Sequence, residues 1–88
     1  MNKTMPGAQD FQPFIGATLA VAGGPDLLLA QVDVRRAGFI LLLQGPAEPV
    51  LAEGIHTLTV PGGSSWELYM MPVQTMGRDR QDYQVVCN

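Results

Sequence analysis

The sequence predicts an all-β fold: a small antiparallel barrel or sandwich of about six strands with a short N-terminal helical turn. Three observations predict it. After Gly16, apolar and polar residues alternate with a period of two over most of the chain. Clusters of Gly, Pro, Asp and Ser break that alternation roughly every eight to twelve residues, the spacing of short strands joined by tight turns. The chain has 88 residues, 47% of them hydrophobic, which suits one core and is too short for two. Residues 1–9 are mixed and polar and read as an N-terminal arm, and residues 10–88 read as a single β domain.

Within residues 10–16, Asp10 offers a cap, Pro13 suits a first helical turn and Gly16 suits a stop. Phe11, Phe14 and Ile15 have i, i+3, i+4 spacing, so a helical turn would point all three at the core as a lid. Residues 18–22 form a first short strand, closed by the turn residues Gly23, Gly24, Pro25 and Asp26. In residues 27–36, Leu28, Ala30, Val32 and Val34 share one face, and Gln31, Asp33 and Arg35 share the other. Ala37-Gly38 is a tight hairpin in which Gly38 takes a positive φ. Residues 39–43 are apolar on both faces, which places them centrally or under a second cover.

From Gly45-Pro46 to about Glu53 the pattern lapses into a loop, which Val50 and Leu51 pin to the core. Residues 54–60 set Ile55, Thr57 and Thr59 against His56, Leu58 and Val60. Pro61, Gly62, Gly63 and Ser64 turn the chain into a strand over residues 65–73, with Pro72 near its end, where a sheet tolerates it. Residues 74–81 are polar and carry Gly77 and the run Arg78-Asp79-Arg80, whose charges pair locally. Residues 82–88 close the sheet, with Tyr83, Val85 and Cys87 opposing Gln84 and Val86.

Charged residues make up 15% of the chain, against roughly 25% in an average globular protein. Five basic and eight acidic side chains are few to clothe a small sphere, so apolar surface must show somewhere. That surface belongs either to a monomer with a greasy skin or to an assembly. The net charge of −3, with no basic residues interleaved with aromatics, argues against nucleic acid. No apolar run approaches the ~18 residues of a membrane span, and none follows Lys3 as a secretion signal requires. Membrane insertion is not expected, and a cytoplasmic location is the default. One cysteine excludes an internal disulfide framework, and one histidine makes a zinc cage implausible. Cys87 reads as a small buried hydrophobe.

No motif supports catalysis, so no enzyme activity, catalytic residue, metal or cofactor is expected. Ser64 and Ser65 lie at a hairpin tip without the surrounding pattern of a nucleophile elbow. A hydrolase built on them would need His56, which sits on a strand beside Leu58. The carboxylates are scattered, with no pair spaced to meet on one strand face. Residues 79–82 lack the ligand spacing of a calcium loop, and Gly23-Gly24-Pro25 enters a strand where a phosphate cradle enters a helix.

Two features point outward. Trp66, Tyr69 and Met71 share one strand with Met70, and Trp and Tyr are frequent interface anchors. The plainer reading is that Trp66, Leu68 and Met70 face the core, which still leaves Tyr69 and Met71 on the other face. The second feature is the two-faced strand with Phe39, Leu41 and Leu43. These six residues (Phe39, Leu41, Leu43, Trp66, Tyr69 and Met71) are the candidate interface. The expected function is a structural or interaction module that binds itself, as a homo-oligomer or fibre, or another protein, through strand edges and exposed apolar side chains. The alternative is a barrel that holds a small apolar ligand near Phe11, Phe14 and Trp66.

Four stretches carry a resemblance. They are Gly38-Phe39-Ile40-Leu41-Leu42-Leu43-Gln44-Gly45-Pro46, Leu51-Ala52-Glu53-Gly54-Ile55-His56-Thr57-Leu58, Glu67-Leu68-Tyr69-Met70-Met71-Pro72-Val73 and Tyr83-Gln84-Val85-Val86-Cys87-Asn88. Together they resemble a family of short uncharacterised bacterial all-β domains of unknown function, over roughly residues 11–88. The sequence departs from that family at Leu43, Tyr69 and Cys87, where the family favours Phe. It departs again at His56, where Tyr is favoured, and at Met71, where Val is favoured. All five read as packing exchanges. The resemblance implies an association with phage-tail-collar-like surface proteins, hence an assembly role and a cell-surface or phage-tail-like setting. It defines no functional residues.

Overall fold

Six antiparallel strands close on themselves in a computed structural model that describes residues 5–75 and 79–87. They are β1 (Thr18–Val21), β2 (Leu27–Arg35), β3 (Gly38–Pro46), β4 (Gly54–Thr59), β5 (Ser65–Val73) and β6 (Arg80–Cys87). Around the barrel the order is β1-β2-β3-β6-β5-β4, and β1 returns to β4. The expected all-β class and strand count hold, and of the two architectures the chain adopts the barrel.

Most strand limits lie close to those expected. β3 runs on through Gly45 and Pro46, which the turn signal had placed in a loop, because Gly45 and Pro46 pair with Gln81 and Arg80. The β2–β3 turn is Arg36-Ala37, one residue earlier than the expected Ala37-Gly38: Gly38 takes φ +137° but already opens β3, paired with Arg35. Gly45 serves a different need: a side chain there would run into Leu27. No helix among the described residues is long and apolar enough to cross a membrane.

Alternation decides what fills the barrel. Leu41 and Leu43 of β3, Leu68 and Met70 of β5, and Tyr83 and Val85 of β6 point inward and are buried. Among the described residues, no polar or charged side chain other than the Tyr83 phenol shares this interior, and no buried side-chain nitrogen or oxygen lacks a hydrogen bond. The inner set of β2 differs from expectation. Leu27 and Leu29 are buried, and the ladder to β3 then shifts between Leu29 and Gln31. Ala30 is the extra residue of a β-bulge, so inward positions pass from Leu29 to Val32 and Val34. Leu28 and Ala30 therefore do not share the face of Val32 and Val34.

The N-terminal lid consists of two 3₁₀ turns, Ala8–Asp10 and Gln12–Phe14. Among the described residues the first regular element thus begins at Ala8, inside the expected arm. Asp10 accepts a hydrogen bond from the Gly7 amide at 2.8 Å, closing the first turn. Phe11 is fully buried, with its ring 5.0 Å from that of Trp66 and 5.9 Å from that of Phe39. Phe14 is half-buried, but Ile15 is exposed, because its backbone is extended and the helical i+4 relation is lost. At the other end, the loop between β3 and β4 folds back on the barrel. Leu51 packs on the core and its amide donates to the Tyr83 hydroxyl at 2.9 Å, while Val50 stays exposed.

Candidate interaction surface

The pleat that fills the barrel also defines its outer skin. On β3 the outward residues are Ile40 and Leu42, on β6 Gln84 and Val86, on β5 Tyr69 and Met71, and on β4 Ile55. The ladders align them in two rows. Ile40 faces Val86, and one step beyond the last β5–β6 pair the same level holds Tyr69, which faces Ile55. The second row runs Leu42, Gln84, Met71. Six apolar or aromatic side chains and one amide thus form a band across four strands. Ile55 is 63% exposed, Val86 46% and Tyr69 43%, which leaves a contiguous uncharged patch in solvent.

The six residues singled out from sequence divide in two. Phe39, Leu41 and Leu43 lie inside the barrel, so as interface candidates they are corrected: β3 presents Ile40 and Leu42 outward in their place. Trp66 faces inward with Leu68 and Met70 and is half-buried against Phe11. Tyr69 and Met71 lie on the outer face as expected. Ile55 and Val86 were not singled out, although their places opposite Leu58 and Val85 in the alternation marked them as outward.

Tyr69 is held in place. Its hydroxyl donates to the Glu53 carboxylate, and that hydrogen bond, with smaller contributions from desolvation and the carboxylate charge, pushes its pKa above the ordinary tyrosine value. His56 donates from Nε2 to the Ala52 carbonyl at 2.7 Å, a bond that selects the Nε2-protonated ring. Residues 51–53 are therefore anchored in succession by Tyr83, His56 and Tyr69.

The serines do not meet the histidine. Ser65 bonds Thr59 at 2.9 Å, three ladder steps from His56, whose ring is committed to Ala52. Arg80 pairs with Asp82 at 2.9 Å and not with Asp79, and Gly77 and Arg78 lie outside the described residues. Cys87 is buried, which pushes its thiol pKa up. Of the three residues expected to line an apolar ligand site, Phe11 packs its ring against Trp66 and Phe39, Phe14 packs partly buried on the core, and Trp66 also lines a surface groove.

Closure engages each strand on both sides over only part of its length. The β5–β6 ladder spans Met70–Val73, so among the described residues β5 has a strand partner on one side alone from Ser65 to Tyr69. β2 pairs with β1 only at Leu27 and Leu28, and from Gln31 to Arg35 it has a strand partner on one side alone among the described residues, β3, which is backed in turn by β6. Beside the free stretch of β5 lies a groove of about 470 Å³ lined by Met5, Pro6, Thr57 and residues 65–68.

No curated protein and no solved structure matches the chain. A family model does match, over residues 6–87, nearly the whole of the barrel and its lid. The chain belongs to the family described as domain of unknown function DUF6916.

Proposed function

We propose that this domain is a non-enzymatic structural module that associates with copies of itself through the outer band of β3, β6, β5 and β4. The single observation that carries the reading is the row of Ile40, Val86, Tyr69 and Ile55 above Leu42 and Met71, none of them charged, with the Glu53 carboxylate at its border held by the Tyr69 hydroxyl. Solvated aliphatic surface gains about 25 cal/mol for every Å² removed from water, and two such bands facing each other remove it. A standard interface takes about 800 Å² from each partner, roughly one seventh of this chain's 5529 Å². The band alone is smaller than that, so it is the centre of a contact whose rim includes Gln31, Asp33, Gln44, Thr57 and Glu67. Repetition of one subunit also suits the bacterial, phage-tail-like surface setting that the sequence resemblance implies.

Light scattering at about 10 μM and about 500 μM tests the reading. The expected result is a mass that rises with concentration and returns to monomer in Val86→Lys and Ile55→Lys, whose circular dichroism is unchanged. A strict monomer at the higher concentration overturns it.

A further inference from the structure

We infer that the domain carries a second self-contact, between unlike surfaces: the edge of β2 at residues 31–35 in one copy adds as a strand to the edge of β5 at residues 65–69 in the next. The inference rests on the self-association proposed above and names a contact that the outer band does not include.

The two stretches fit in three respects. Each has a backbone edge with no strand partner among the described residues, and an unpaired edge is a template for another strand. Their pleats match. On β5, Trp66 and Leu68 point inward and Glu67 outward; on β2, Val34 points to the inner side and Arg35 outward. A strand added with Val34 toward Trp66 and Leu68 necessarily turns Arg35 toward Glu67. Third, Val34 is 58% exposed, an unusual place for an inner-face valine, and the groove beside β5 is walled by Met5, Pro6, Trp66 and Leu68. The aliphatic side chain has no cover in its own barrel, and the apolar groove lies on the other partner's edge.

Charge argues against the β5 edge pairing with itself. A two-fold pairing of residues 65–69 sets Glu67 against Glu67, which is unfavourable across strands. Arg35 bonds only to exposed Asp33, at 2.7 Å, a pair cheap to exchange for Glu67 of the neighbouring copy. Because the joined surfaces differ, the contact does not close by a two-fold axis. It propagates head to tail, giving rings or filaments where the band alone gives dimers.

Charge exchange tests this by sedimentation velocity. Arg35→Glu and Glu67→Arg should each remove species larger than dimer, weakening that step about tenfold. The double exchange, Arg35→Glu with Glu67→Arg, should restore them. Val34→Lys should also abolish them while leaving the dimer, which Val86→Lys and Ile55→Lys remove. Several outcomes overturn the inference while leaving the outer-band reading intact: a dimer with no larger species, or larger species indifferent to both single exchanges. Sensitivity to Arg35→Glu but not to Glu67→Arg overturns it in favour of β2 pairing with β2. No association of any kind overturns both.

Discussion

Phe11→Ala is the sharpest test of how the lid and barrel depend on each other. Phe11 lies in a 3₁₀ segment before the first strand, yet it is fully buried between Trp66 of β5 and Phe39 of β3. Truncating a buried phenylalanine costs about 3–5 kcal/mol, the sum of lost transfer energy and the cavity left behind. A chain of this length has a total stability of about 4–13 kcal/mol. The substitution should therefore remove a large share of it and lower the melting temperature by at least about 12 °C. Urea unfolding can be followed by the fluorescence of Trp66, whose ring touches the deleted one, and by far-ultraviolet circular dichroism, which reports the strands. The expected result is a lower midpoint, an unchanged slope and coincident transitions for the two probes. Ile15→Ala, on the same lid but exposed, should stay within about 0.5 kcal/mol of the parent. A loss below about 1 kcal/mol for Phe11→Ala, or a fluorescence change that precedes the loss of strands, would refute the lid as part of the core.

Three further outcomes follow from single contacts. Tyr83→Phe leaves the Leu51 amide without its partner and should cost about 1–3 kcal/mol, with faster hydrogen exchange at Leu51 as the specific sign. Gly45→Ala drives a methyl group into buried Leu27 and should cost about 1–3 kcal/mol by denaturant titration; a neutral effect would mean that Leu27 has room to move. The Tyr69 pKa is raised in the fold, so the unfolded chain ionises first. The contribution of its bond to Glu53 is whole below the ordinary tyrosine value near pH ~10 and is lost as pH rises through the folded value. Unfolding midpoints should therefore fall more steeply above pH ~10 in the parent than in Tyr69→Phe, and equal slopes would contradict the bond.

Local alternation determined most of this protein. The period of two in residues 54–60 and 82–88 assigned Leu58, Tyr83, Val85 and Cys87 to one face from the sequence alone, because successive side chains of a strand must point to opposite sides. The β2–β3 hairpin was legible to within one residue: its turn is Arg36-Ala37, and Gly38, with positive φ, opens β3. Where the local signal was symmetric, the sequence was silent. Residues 39–43 are apolar at every position, so only pairing with β2 and β6 decided that Phe39, Leu41 and Leu43 go inside and Ile40 and Leu42 outside. The slip at Ala30 has no turn residue to announce it. It is an irregularity within the β2–β3 ladder, and it exists only once those two strands are paired. The return of β1 to β4, and with it the choice of barrel over sandwich, joins strands almost forty residues apart. No local pattern encodes that register. It is selected because closing the ring pairs backbone groups that an open sheet would leave to water, while sealing the apolar faces in a single interior.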